Sequence, residues 1–171
     1  MLITDLQASE YHSYYRHYIE CLEVAELQVL LKEGKDLFSN FIRLIPESKK
    51  NFSYQDGKWS VSEVLQHLID SERVFQYRGL RFSRGDKTPL PGFDQDNYVP
   101  ESKANEKTLS SIHDEFIAVR DSSISLFSSF GDAELKRRGM ASEAPMSVRA
   151  LGFVICGHQE HHRRILEERY F

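Results

Sequence analysis

A chain of 171 residues, 40% of them apolar, is long enough to bury one continuous core and is read as a single domain over 1–171. Its 22 basic and 26 acidic side chains are interspersed and leave a net charge of −4, which argues against nucleic-acid binding by general charge. No apolar run is long enough to span a bilayer, so no membrane partner is expected.

The opening Met1-Leu2-Ile3-Thr4-Asp5 lacks the basic and apolar regions of a signal peptide. Cys21 and Cys156 are far apart in sequence, so a reducing cytoplasm is the expected setting and both cysteines are read as structural. Residues 1–20 are rich in Tyr and His, which suits a short helix packed across the outside of the fold, with His12 and His17 at its surface.

From Glu20 to Ile45 a stripe of Val24, Leu27, Leu31, Gly34, Phe38, Phe41 or Ile42, and Ile45 predicts the first long helix, closed by Pro46. Ser60 with Glu63 three residues on is a capping-box pattern that starts a second helix, running to about Arg84 before Gly85. Around His67 on that helix, Glu63, Asp70, Ser71, Val74, Arg78 and Arg81 fall within about 60°. Carboxylates and arginines beside a histidine mark either a polar site or a solvated face.

Gly85 to about Glu106, punctuated by Pro89, Pro91 and Pro100, reads as a long crossover loop, which lets the helices on either side run parallel. Phe93 and Tyr98 are expected to fold it back over the helices. Leu109, Ile112, Phe116, Val119, Ser123, Phe127 and Phe130 mark the third long helix, with His113 beside the stripe as a structural histidine. Gly131 to Pro145 reads as a polar connection without strand alternation, and Ser147 caps a fourth helix ending near Tyr170. Gly152 and Gly157 inside it imply a close helix crossing or room beside the histidines. The fold class is therefore all-α, a four-helix bundle with a long crossover between helices two and three.

The fourth helix carries Gly157-His158-Gln159-Glu160-His161-His162. Taking Leu151 as reference at about 100° per residue, His158 lies near −20° and His162 near +20°, inside the apolar stripe. His161 lies near −80°, at the edge of the stripe, while Glu160 points to the opposite face and Cys156 near +140°. An inward i, i+4 histidine pair is a metal-binding arrangement; the same pair also reads as core histidines bonded to neighbours. His67, inward on the second helix, makes three imidazoles across the bundle. Three protein ligands with one open position suit a catalytic ion, and imidazole donors accept zinc, nickel, iron or copper.

Lys58-Trp59-Ser60-Val61-Ser62-Glu63-Val64-Leu65-Gln66-His67-Leu68-Ile69-Asp70 resembles the KWS-x-x-E-x-x-x-H-L-x-D signature of the DinB/YfiT-like superfamily, and residues 157–162 resemble its GH-x-x-HH segment. The likeness continues through Arg78–Asp86 and Pro89–Phe93. It implies a four-helix bundle with a divalent metal, zinc or nickel foremost, on His67, His158 and His162. It also implies a small-molecule substrate, and a homodimer is common among such proteins although no residue here specifies one.

Activities in the family range from metal-dependent hydrolysis to transfer of a low-molecular-weight thiol cosubstrate, as in bacillithiol-type S-transferases and mycothiol-dependent maleylpyruvate isomerase. A hydrolase needs a carboxylate to move protons. Position 159 is Gln and Glu160 faces away, which leaves Asp70 or Glu63 as catalytic candidates or as partners that orient an imidazole. Arg78 and Arg81 are substrate-binding candidates for an acidic thiol or substrate, or members of a salt-bridge network. Two other readings stay open: a bundle with a purely structural metal, and a metal-free interaction protein.

Overall fold

Ser60 opens the second long helix as its spacing predicts. Its Oγ accepts the Glu63 N–H at 3.2 Å, and the Glu63 carboxylate accepts the Ser60 N–H at 2.7 Å. The computed structural model describes residues 1–171. Its helices are α1 Arg16–Glu20, α2 Leu27–Leu44, α3 Val61–Ser83, α4 Gln95–Glu101, α5 Leu109–Ser128, α6 Asp132–Leu135 and α7 Val148–Arg169. Strands β1 Arg138–Ala141 and β2 Ala144–Ser147 form one antiparallel hairpin.

The long helices α2, α3, α5 and α7 make a four-helix bundle. Helices α2 and α3 each pack against α5 and α7, so the pairs adjacent in sequence, α2 with α3 and α5 with α7, sit diagonally. Gln66 Nε2 donates to Glu115 at 3.1 Å and Gln76 Nε2 to Ser123 Oγ at 2.6 Å, so α3 and α5 run parallel across the crossover. Helix α7 runs antiparallel to α3: Tyr170 OH donates to the Trp59 carbonyl at one end, while His158 meets Phe75 farther along.

The bundle interior divides into two apolar clusters. One gathers Leu27, Leu31, Phe127 and Leu151; the other gathers Phe38, Ile42, Leu65, Phe116 and Leu166. Both are assembled from the stripes that the sequence displays at helical spacing. In the interior, Arg120 donates to both carboxylate oxygens of Glu72 at 2.8 Å, and Ser123 adds a third bond to that carboxylate. The pair is buried, so its mutual neutralisation is what makes either charge tolerable there.

Several expectations need correction. The first long helix starts at Leu27, not Glu20, because residues 21–26 turn back to the N-terminus: Ile3 N–H donates to Ala25 O and Leu27 N–H to Met1 O, both at 3.1 Å. Val24, expected in the stripe, is exposed. The crossover contains α4, whose N-cap is Asp94. The supposed polar connection before α7 contains α6 and the β-hairpin. Four-residue strands are too short to display alternation, and the turn at Ser142-Glu143 takes φ of 52° and 63° without the Gly or Asn that usually announces it.

Gly157 is explained by a close approach. A Cβ there would lie 2.0 Å from the Tyr18 carbonyl oxygen, so its absence lets α1 rest directly on α7. Gly157→Ala is expected to push α1 away and destabilise the fold by about 1–3 kcal/mol in urea denaturation. Arg120→Met should cost more, about 3–5 kcal/mol by the same measurement, because it strands the Glu72 carboxylate in the core.

Candidate metal centre

The Trp59-to-Asp70 segment does local structural work before it does chemistry. Ser60 sets the first turn of α3, Trp59 lies against His67 with ring centroids 4.8 Å apart, and His67 is thereby aimed at α7. The antiparallel pairing of α3 with α7 brings it level with His158 and His162, which stand one turn apart on the same face. One nitrogen of each of the three rings lies within 4.8 Å of the others. His67 Nε2 and His158 Nε2 are 3.1 Å apart, close to the roughly 3.3 Å between two nitrogens on a tetrahedral zinc.

The donor set fits a cation. His67 and His158 are each 5% exposed, His162 is half-buried, and no carboxylate is hydrogen bonded to any of the three rings. The Ser71 hydroxyl lies 3.4 Å from His67 Nδ1, which leaves Nε2 for the centre of the cluster. Burial pushes the His67 pKa down to about 4 and that of His162 to about 3, and holds His158 well below the ordinary histidine range; neighbouring rings add to the effect at His158 and His162. All three imidazoles are thus neutral near pH 7, the form that ligates a metal.

Through His158 the cluster borders a cavity of about 340 Å³. His158 is in its wall, Tyr15, Tyr18 and Phe75 supply apolar surface, and Arg78, Phe93 and Ser142 lie along it. Tyr18, on the short helix that Gly157 admits, sits 5.1 Å from the His158 ring and 5.2 Å from His161. His161 packs edge-on against both His17 and His162, with ring centroids 5.1 Å from each, but is not part of the nitrogen cluster.

The five polar candidates around His67 separate by their angle on α3. Ser71 and Arg78, at about +40° and +20° from His67, face α7 and the cavity, whereas Asp70, Glu63 and Arg81 at about −60° and −40° turn the other way. Asp70 accepts from Gln66 at 3.1 Å and Arg73 at 3.2 Å. Glu63 is held by the Ser60 N–H and by Asn105 Nδ2 at 3.0 Å. Arg81 binds Asp86 and the Tyr77 hydroxyl. The structure therefore gives the proposed catalytic carboxylates Asp70 and Glu63, and the proposed substrate-binding Arg81, structural partners outside the cavity. Arg78 is the one of the four that lines it.

The sequence reading missed Tyr15, Tyr18, His12 and Ser142 as cavity residues. Their segments lack a long helical period, and the Tyr and His enrichment of residues 11–18 was the only signal. Gln159, in place of a base, donates to Gly34 O at 2.9 Å and ties α7 to α2.

The depressed histidine pKa values have a direction in acid. The unfolded rings take up protons near pH 6.5 while the folded ones resist, so stability is full above that pH and falls as the pH drops toward about 4. Thermal melting of the metal-free protein is expected to fall across that window, and to fall less in a His67→Asn, His158→Asn, His162→Asn variant.

The search of curated proteins gives no match. Among solved structures, YfiT from Bacillus subtilis, described as a probable metal-dependent hydrolase with an unusual four-helix bundle topology, superposes with a TM-score of 0.73 at 15% identity, covering 95% of this chain and 89% of that one. The mycothiol-dependent maleylpyruvate isomerase superposes with a TM-score of 0.70 at 10% identity, covering 96% of this chain but 62% of the isomerase. At these identities both show a shared fold. The family model of the DinB superfamily matches residues 30–166, from the second turn of α2 nearly to the end of α7, and the chain belongs to that superfamily.

Proposed function

We propose that this protein is a divalent-metal enzyme in which His67, His158 and His162 hold the ion and the adjoining cavity receives a small-molecule substrate. The observation that carries this reading is the convergence of three neutral imidazoles, without a carboxylate partner, one of which, His158, lines a cavity of about 340 Å³. Zinc and nickel suit such a donor set. A divalent ion there supplies Lewis acidity and lowers the pKa of a thiol or water bound beside it.

Between the two reaction types, transfer of a low-molecular-weight thiol is favoured over hydrolysis. Hydrolysis calls for a positioned base, yet no Asp or Glu lines the cavity, and Asp70, Glu63 and Glu160 are engaged elsewhere. A thiol asks less of the chain. Tyr15, Tyr18 and Phe75 exclude water around the substrate, and the fixed imidazoles set its orientation.

Elemental analysis of untagged protein after incubation with zinc or nickel is the direct test. Near-stoichiometric metal is expected in the wild type and almost none in a His67→Ala, His158→Ala, His162→Ala variant. A wild type that stays empty would make the three histidines core residues and overturn the reading. Given loading, thiol-dependent transfer is expected to exceed ester or amide hydrolysis in a substrate screen.

A further inference from the structure

Arg78 is only 2% exposed and has no acidic partner. The buried arginines elsewhere in this fold are paired with carboxylates: Arg120 with Glu72, and Arg149 with Glu10. Arg78 instead donates from Nη2 to the Pro91 carbonyl at 3.1 Å and to Ser142 Oγ at 2.9 Å, and its guanidinium lies 5.9 Å from the centre of the Phe93 ring. Both acceptors are neutral. They hold the guanidinium in place without cancelling its charge; the Tyr15 hydroxyl beside it is also neutral, and its Nη1 and Nε protons meet no protein carboxylate or carbonyl.

This uncompensated charge belongs to the same cavity as His158, and no acidic side chain lines that cavity. A buried cation with no counter-ion is costly, so the cavity favours an anion that completes the pair. A carboxylate matches the planar guanidinium donor edge. The spacing adds a length. Arg78 follows His67 by about 16 Å along α3; the arginine is longer and leans farther toward the N-terminus than the histidine, and with the room taken by an ion and a hydrogen bond at the two ends the open span is on the order of 10 Å. Phe75, Tyr15 and Tyr18 line the stretch between.

We infer that Arg78 is a specificity-determining residue that binds the carboxylate of an elongated ligand whose other end lies at the three histidines. The inference rests on the proposed metal reading of that cluster and adds the substrate class: an acid with an apolar middle, long enough to bridge the two ends. Ser142 is a positioning residue that reaches Arg78 from the hairpin turn.

The test is calorimetry on zinc-loaded protein with 6-mercaptohexanoate and its uncharged counterpart 6-mercaptohexanamide, beside the short acid 3-mercaptopropionate and its amide. The wild type is expected to bind the long acid at least tenfold more tightly than the long amide, and to show little preference between the short pair. Arg78→Gln should bring the long-pair ratio to about one with zinc content unchanged, while Arg78→Lys keeps part of the preference. The wild-type ratio needs no variant, so it stands even if Arg78→Gln does not fold. Equal affinities for the long acid and amide, or a preference that survives Arg78→Gln, would overturn the subsite. An equal preference in the short pair would overturn the spacing. Failure of zinc uptake is read separately and bears on the metal reading; zinc uptake with equal affinities bears on the subsite alone.

Discussion

The antiparallel contact between α3 and α7 is the constraint on which the site depends. Each helix alone presents imidazoles with nothing to hold. When the helices pack at the register fixed by the Tyr170–Trp59 bond and the His158–Phe75 contact, His67 comes level with the pair on α7. The surrounding apolar side chains then keep the rings dry and neutral. Burial in this place is unfavourable for charge and favourable for ligation. The same packing keeps Asp70 and Glu63 of α3 out of the site, because residues that lean away from α7 find partners among Arg73, Asn105 and Ser60.

Two glycines and one hairpin turn a bundle into a bundle with a cavity. Gly157 allows the Tyr18 backbone against α7, which puts an aromatic wall over the histidines. At Gly139 a Cβ would fall 2.1 Å from the Phe82 ring, so β1 packs flat on α3. That contact fixes the hairpin whose tip carries Ser142 to Arg78. Non-glycine residues in the left-handed region are held there by their surroundings at some cost, and such positions tend to accompany function.

The four long helices were legible because each shows an apolar stripe; three carry side-chain N-caps, of which Ser60 and Ser147 were read from the sequence and Thr108 was not. The inward pair His158 and His162 was legible for the same reason: periodicity reports which face is buried. The sorting of the polar face of α3 was not. A wheel places Asp70 and Ser71 both near His67, but which side meets α7 depends on tertiary packing. The hairpin, α4 and the aromatic cover of the site were also hidden, since short elements held by long-range contacts carry little local signal. Arg78 and Arg81 looked equivalent in sequence; a neighbouring acid, Asp86, separates them.

The diagonal placement of sequence neighbours has a consequence for how the chain reaches its structure. In an up-and-down bundle each helical hairpin can form early from residues close in sequence. Here neither α2 with α3 nor α5 with α7 makes such a unit, and α2 must find α5 across about half the chain and α7 across more than half. Loops that large are closed before their contacts reward them. Among helical proteins of this size the architecture is expected on the slow side of folding, and the three imidazoles meet only once the most distant of these contacts, those of α7, have formed.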